Sequence, residues 1–100
     1  MFTNCYNQGV QFTFANGLTI SIQWGAGNYC QNRSFEVSPF NAPRDIFKCS
    51  DAEIAIWDGN DKSYQFGNGT CKGWVSTDEV AQWITEVSTA KSLSDIMNCE

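Results

Sequence analysis

Residues 10–24 alternate between apolar and polar side chains on both sides of one Asn16-Gly17 pair. The apolar positions are Val10, Phe12, Phe14, Leu18, Ile20, Ile22 and Trp24. A period of two places these side chains on one face of a β-strand. Asn-Gly supplies the positive φ angles of a tight type I′ turn. The segment therefore predicts a β-hairpin with one apolar face and one polar face.

Weaker strand patterns follow in the middle of the chain. Residues 52–57 alternate, with Ala52, Ile54 and Ile56 on one side, and predict a central strand. A turn at residues 58–61 leads to residues 63–66, which predict a returning strand and hence a second hairpin. Residues 34–38 fit a further short strand.

The periodicity becomes helical after Trp74. Ser76-Thr77-Asp78-Glu79 has the pattern of a capping box, in which Ser76 is the N-cap and Glu79 reaches back to it. The apolar residues that follow recur at helical spacing: Val80, Trp83, Ile84 and Val87. We expect this helix to end near Thr89 and a short capped turn to follow over residues 92–97.

Strands come first in the chain and the helix comes last. That order predicts an α+β fold, in which an antiparallel sheet of four to five strands packs on a C-terminal helix. A chain of 100 residues forms one domain, spanning residues 1–100. With 42% hydrophobic residues it can build one core without disulfides.

The charge balance limits the partners that the chain can bind. The net charge is −5, and the 6 basic residues are scattered along the sequence. This argues against bulk nucleic acid and against an anionic membrane surface, since both need clustered Lys and Arg. No secretion signal or apolar run of membrane-spanning length is visible. We therefore expect a cytoplasmic protein whose five cysteines are reduced.

The residue types needed for most catalysis are missing from the sequence. The chain has no His, which removes His bases, Ser-His and Cys-His pairs and most zinc sites. The oxygen-rich segment at residues 58–61 fits turn chemistry better than a calcium loop. Asp51 and Glu53 share one strand face, which is more typical of a solvated face than of an acid/base pair. We expect no catalytic residue, no cofactor and no metal.

One loop after the first hairpin combines groups that suit a nucleotide-like ligand. The candidate ligand-binding residues are Trp24, Gly25, Gly27, Tyr29, Asn32 and Arg33. Aromatic rings stack on a base, Arg pairs with phosphate, Asn reads a polar edge and the glycines expose backbone N–H groups. Alternatively, Trp24 is a core residue and Arg33 pairs with a carboxylate in a structural loop. The third glycine of a dinucleotide fingerprint is absent, because Cys30 stands there.

Three later aromatic residues predict an apolar patch on the sheet face away from the helix. Trp57 alternates opposite to Ile54 and Ile56, and Tyr64 and Phe66 share one face of the predicted returning strand. Exposed apolar patches on small chains often mediate self-association. We therefore expect a homo-oligomer.

Much of the chain resembles a group of small bacteriophage proteins with no assigned activity. The resemblance is carried by FTFANGLTISIQWGAGNYCQNR at residues 12–33, by AEIAIWD at residues 52–58 and by the segment from Gly73 to Trp83. Many phage proteins of this size are counter-defence factors, and by analogy we expect such a role in the host cytoplasm. Among phage counter-defence factors, sponge proteins of the anti-Thoeris and anti-CBASS kind sequester cyclic nucleotide immune signals without cleaving them.

Three functions are consistent with these features. The first is a non-catalytic, oligomeric binding protein that sequesters a nucleotide-derived immune signal through the loop that contains Arg33. The second is an acidic interaction module that inhibits a basic host protein. The third is an accessory protein of the virion or of its assembly.

Overall fold

The computed structural model describes residues 1–4, 9–24, 49–67 and 69–96. Within them lie strands β1 (Phe2–Asn4), β2 (Gly9–Thr13), β3 (Thr19–Gln23), β4 (Asp51–Trp57) and β5 (Cys71–Ser76), helix α1 (Thr77–Thr89) and a 3₁₀ turn (Leu93–Asp95). The strands form one sheet in the order β1-β2-β3-β4-β5, with every neighbour antiparallel. Helix α1 packs on β3, β4 and β5. The predicted α+β fold is confirmed.

The core lies between the helix and one face of the sheet. The residues of β4 that point toward the helix are buried and those between them are half-buried, as the period of two predicts. In β3 the polar face is buried as well, since Thr19 and Ser21 are buried beside Ile20 and Ile22. The buried apolar residues are Leu18, Ile20, Ile22, Ala52, Ile54, Ile56, Phe66, Val75, Trp83, Val87, Ala90 and Ile96. The predicted strand at residues 34–38 lies outside the described residues.

The first hairpin forms as predicted, but its turn is of a different kind. Val10 pairs with Ile22, and Phe12 pairs with Ile20. The Phe14 N–H donates to the Leu18 carbonyl at 2.9 Å, so that residues 15–17 form a three-residue loop. Glycine at position 17 has φ 85°, whereas the residue before it does not have a positive φ. The type I′ prediction is wrong, because that turn needs positive φ at both central residues.

The side chain of Asn16 explains what this loop achieves. Its Nδ2 donates to the carbonyl oxygens of Val87 at 2.8 Å and Ala90 at 2.7 Å, at the end of helix α1. Its Oδ1 accepts from the Leu18 N–H at 3.0 Å. The last carbonyls of a helix have no partner within the helix. One side chain therefore joins the hairpin turn to the helix end, more than 70 residues away in sequence.

We expect replacement of Asn16 by Ala to lower the free energy of unfolding by about 2 kcal/mol, because a net hydrogen bond contributes about 1 kcal/mol and the two carbonyls lose their donor. Urea denaturation monitored by circular dichroism measures the difference. Asn60→Ala is the matched control, since Asn60 lies exposed in another turn. Equal unfolding midpoints for the two variants would contradict a structural role for Asn16.

The strand that returns beside β4 is not the predicted one. Residues 63–66 contribute one isolated bridge, between Ser63 and Trp57. The Tyr64 N–H also donates to the Ile56 carbonyl at 2.8 Å. The neighbour of β4 is instead β5, at residues 71–76. The second hairpin therefore exists, but a longer connection leads to its returning strand.

The aromatic residues of that connection pack into the core. The Tyr64 and Phe66 rings meet the buried ring of Trp83 edge-to-face, with centroid distances of 5.7 and 5.2 Å. Phe66 is buried, and Trp57 is half-buried beside Ser63. The predicted outward patch is therefore wrong for Tyr64 and Phe66, whereas Trp57 does lie on the face opposite to Ile54 and Ile56. Since the connection is not a strand, its side chains do not alternate between two sheet faces.

A bulge interrupts the pairing of β4 with β5. Ala52 pairs with Val75 and Ile54 pairs with Lys72, so the strands shift register between them. On the β5 side Gly73 and Trp74 lie opposite the single residue Glu53 of β4, so β5 holds one extra residue here. Trp74 has φ 52° and is 58% exposed. A bulky residue in the left-handed region is rare and strained.

The helix begins as predicted, with one change in its capping. The Ser76 hydroxyl accepts from the Glu79 N–H at 3.2 Å, which confirms Ser76 as the N-cap. The Glu79 carboxylate is engaged elsewhere: its Oε2 accepts from Trp83 Nε1 at 3.0 Å and lies 2.9 Å from Lys72 Nζ. The reciprocal half of the capping box is therefore replaced by bonds to the core Trp and to β5.

These contacts give the fold a defined response to acid. Burial alone would raise the pKa of Glu79, but hydrogen bonds from Lys72 and Trp83 and the Lys72 charge outweigh it and lower that pKa. A lowered folded-state pKa stabilises the fold above the unfolded-state value of about 4.3, and this stabilisation is lost as pH falls through the folded-state pKa.

We expect Glu79→Gln to destabilise the protein by about 1 kcal/mol or less at pH 7 and to bring it closer to wild type below about pH 4. Urea midpoints measured from pH 3 to pH 7 test this. Asp78→Asn is the control, since Asp78 is an exposed neighbour in the same helical turn. A difference between Glu79→Gln and wild type that stays constant over this range would contradict the assigned pKa.

Candidate ligand-binding pocket

A pocket of about 530 Å³ opens where the sheet meets the start of helix α1. Its walls come from the end of β3, the start of β4, the end of β5 and the first turn of the helix. The lining residues are Ile22, Trp24, Cys49, Asp51, Ala52, Val75, Thr77 and Val80. Pockets of this volume lie within the range of small-molecule sites, which is about 300–1,000 Å³.

The local sequence explains why these walls converge. Ile22 and Trp24 continue the inward alternation of the hairpin beyond the turn at Gly17. Helix α1 starts directly after β5, with Ser76 as N-cap, so its first turn cannot lie far from the strand end. Val80 is the first apolar position of the helix stripe and covers the pocket from above the sheet.

The pocket is apolar with a small polar rim. Aliphatic and aromatic side chains make up most of the wall. Asp51 supplies carboxyl oxygens, and Thr77 supplies a hydroxyl at the first position of the helix. Cys49, a half-buried thiol, lines the pocket next to β4. Such a site has room for a flat apolar ring beside Trp24. The Asp51 carboxylate can accept a hydrogen bond from a polar substituent of that ring.

Of the predicted ligand-binding residues, Trp24 is the one that the structure places. It is half-buried, packs against the core and lines the pocket with the rest of its surface. Trp24 is therefore in part a core residue, and its role in ligand binding stays a prediction. The other predicted site residues lie outside the described residues: Gly25, Gly27, Tyr29, Asn32 and Arg33.

No family model, curated protein or solved structure matches this chain. The pocket is therefore the feature on which a function can be proposed. The phage resemblance of residues 12–33 stays a prediction.

The pocket has members that sequence patterns did not indicate. Four of them come from three different elements and meet only through the tertiary packing of β4, β5 and α1. They are Asp51, Val75, Thr77 and Val80. One signal was available. Trp24 follows Ile22 in the alternation of the hairpin and therefore lies on the same inward face. This alternation places a large ring at the end of the core.

A second group of reactive side chains lies at the other end of β5. Burial raises the pKa of the exposed Cys71 thiol, the Glu53 carboxylate beside it raises it further, and a hydrogen bond with Thr70 counteracts part of this. A raised pKa keeps the thiol protonated near neutral pH, and a protonated thiol is a poor nucleophile. This pair therefore does not favour covalent chemistry at Cys71.

The described residues confirm one further sequence prediction, the turn at residues 58–61. Asp58 Oδ1 accepts from the backbone N–H groups of Asn60 at 2.8 Å and Lys62 at 3.0 Å, which is the turn chemistry predicted for residues 58–61. In this part of the chain, no three metal-ligating side chains come together. Nor is any helix in it long and apolar enough to span a bilayer.

Proposed function

We propose that this protein binds a small nucleotide-derived ligand and holds it without transforming it. The observation that carries the proposal is the apolar pocket with Trp24 in its wall. In this proposal the base of the ligand lies in the pocket, against the indole ring. The protein acts by lowering the free concentration of the ligand.

The size and lining of the pocket support a nucleobase as the buried group. A base is flat and largely apolar on its faces, and a volume of about 530 Å³ accepts it with part of the attached sugar. Stacking of a base on an aromatic side chain contributes about 1–3 kcal/mol. Asp51 at the rim accepts hydrogen bonds from an amino group or from ribose hydroxyls.

The negative charge of Asp51 determines on which side of the pocket the phosphate of the ligand binds. A phosphate beside Asp51 would be repelled, so it is bound away from that rim of the pocket. In the sequence, Arg33 is the nearest basic residue after Trp24, and we propose that it pairs with the phosphate while Asn32 binds a polar edge. The phage resemblance then supports the sequestration of a cyclic nucleotide immune signal in the host cytoplasm, by an oligomer rather than an enzyme.

We expect Trp24→Ala to weaken binding of the best ligand by about 10- to 100-fold, which corresponds to the loss of one stacking contact. The measurement is isothermal titration of the full chain with a panel of cyclic nucleotides and ADP-ribose derivatives. Arg33→Ala should abolish binding and leave the unfolding midpoint unchanged. Trp74→Ala is the matched control, because Trp74 is exposed and lies outside the pocket wall.

Two results would overturn this proposal. One is the absence of heat and of any mass shift across the whole panel with the folded wild-type protein. The other is binding that Trp24→Ala and Trp74→Ala weaken equally, since the ligand would then not lie against Trp24.

A second candidate function, inhibition of a basic host protein, is favoured by the position of Trp74. The bulge holds this ring 58% exposed at a strained φ of 52°. Exposed Trp residues are frequent anchors of protein interfaces. The acidic Asp51 and Glu53 lie on the adjacent strand β4 and would attract a basic surface. Under this alternative, Trp74→Ala removes host-protein binding and Trp24→Ala does not.

A further inference from the structure

Among the described strands, β1 is one edge of the sheet, and its hydrogen-bonding pattern shows which backbone groups face away from β2. The Met1 amino group donates to the Thr13 carbonyl at 2.7 Å, and the Thr13 N–H donates to the Met1 carbonyl at 2.8 Å. Hydrogen-bonded and non-hydrogen-bonded pairs alternate along an antiparallel ladder. Thr3 is therefore the next residue bonded to β2. Phe2 and Asn4 direct their N–H and C=O groups away from β2, to the side of β1 where no described strand lies.

The same edge exposes large apolar side chains. Phe2 is 83% exposed and Met1 is 78% exposed. The Phe2 ring contacts Phe12 edge-to-face at a centroid distance of 5.1 Å, and Phe12 in turn meets Phe14 at 6.5 Å. Helix α1 packs on β3, β4 and β5, so this aromatic row lies to the side of the helix.

The edge lacks the features that keep sheet edges from pairing. Proteins protect such edges with Lys, Pro or a bulge. The other edge, β5, has a bulge at Gly73 and Trp74. Strand β1 is Phe-Thr-Asn, which contains neither a charge nor a proline, and its pairing with β2 is regular.

The distribution of charge shows which partner this edge fits. All 17 charged side chains, 6 basic plus 11 acidic, lie at or after Arg33, so β1, β2 and β3 carry none. Two copies of a chain with net charge −5 repel each other over most of their surfaces. The edge at β1 carries no charged side chain, and its one charge is the Met1 ammonium, which is bonded to Thr13, so a second copy approaches here without repulsion between acidic side chains.

We propose that β1 is the interface between two copies of this chain. The two β1 strands pair antiparallel about a two-fold axis at Thr3, so that Thr3 lies opposite Thr3 of the second copy. Phe2 then forms a hydrogen-bonded pair with Asn4 of the second copy, and the symmetric pair forms as well. The two five-stranded sheets become one continuous sheet, with both helices on the same face.

The length of strand β1 determines how strong this dimer is expected to be. Three residues on each side bury an area at the lower end of the range for specific interfaces, below about 1,200 Å² in total. Such contacts are weak and reversible. We therefore expect a dissociation constant in the range of about 10–100 µM, corresponding to a monomer–dimer equilibrium at ordinary laboratory concentrations.

Sedimentation velocity of the full chain, from a few micromolar to about 1 mM, tests the proposal. Wild type should shift from monomer to dimer. Phe2→Lys should raise the dissociation constant at least about tenfold, because it removes the apolar contact and places like charges together. Trp74→Lys makes the same change at the other edge and should leave the equilibrium unchanged.

A second variant and a second measurement separate a loss of pairing from a loss of folding. Asn4→Pro removes one outward N–H but no bond to β2, so it should keep the fold and weaken the dimer. Amide exchange by NMR should show that protection of the Asn4 and Phe2 amides rises with protein concentration, while the Thr3 amide is protected throughout. A monomer at all concentrations, or equal effects of Phe2→Lys and Trp74→Lys, would overturn the proposal.

Discussion

Replacing Trp83 by Ala is expected to lower the free energy of unfolding by about 4 kcal/mol, a large part of the 5–15 kcal/mol that is typical of a domain. The side chain is fully buried, and the rings of Tyr64 and Phe66 pack against it edge-to-face. Its Nε1 also donates to Glu79 Oε2 at 3.0 Å. The substitution therefore leaves a large cavity and removes a donor from a carboxylate that lies on the core.

Thermal unfolding measured by calorimetry should show a midpoint lower by roughly 20 °C for Trp83→Ala. Trp74→Ala deletes the same side chain at an exposed site and should cost about 1 kcal/mol or less. If both variants unfold at the same temperature, Trp83 is not the centre of the core.

Replacing Gly9 by Ala is expected to cost about 3 kcal/mol or more, although it adds a single methyl group. A Cβ at this position would overlap the Ile22 carbonyl oxygen and would lie 2.8 Å from the Gln23 Cα. Both are backbone atoms of β3, which cannot move aside as a flexible side chain does. Relief of the overlap requires β2 and β3 to separate where they pair, and overpacking of this kind is destabilising.

Urea denaturation measures this cost, with Gly59→Ala as the control. A Cβ at Gly59 would meet no atom within 4 Å, so that variant should differ from wild type by less than about 0.5 kcal/mol. Because the strain in Gly9→Ala falls on the β3 end that leads to Trp24, this variant should also weaken ligand binding. Equal midpoints for the two variants would show that the strands do not approach this closely.

The parts of the fold with a regular pattern were predictable from the sequence. Burial in β4 follows the period of two, and helix α1 follows the apolar stripe through Trp83 and Val87. In these elements the secondary structure that the local sequence favours is also the one that buries the apolar side chains. A sequence pattern is informative where these two requirements agree.

The irregular parts were not predictable in this way. The bulge at Gly73 and Trp74 breaks the alternation of β5, so Lys72 and Val75 share a face at a spacing of three rather than two or four. Strand β1 is too short to show any period. The function of Asn16 depends on carbonyls at the far end of the chain, and no local pattern contains that information.

One residue of the candidate site was predictable from the sequence. Trp24 follows from the alternation of the hairpin, and the structure places it in the pocket wall. Asp51 and Thr77 were assigned a strand face and a helix start, which is correct for each element. Their shared position in one pocket follows from how β4 and α1 pack, and that packing depends on contacts between distant residues.

The most direct test of ligand binding at Trp24 is methyl NMR of the full chain with a saturating ligand from the nucleotide panel. We expect shifts at the pocket methyl groups of Ile22, Val75 and Val80, together with the Trp24 indole signal. The buried methyl groups of Leu18 and Val87, which do not line the pocket, should not shift. A spectrum unchanged by every panel member, or shifts confined to residues away from the pocket, would contradict the proposed function.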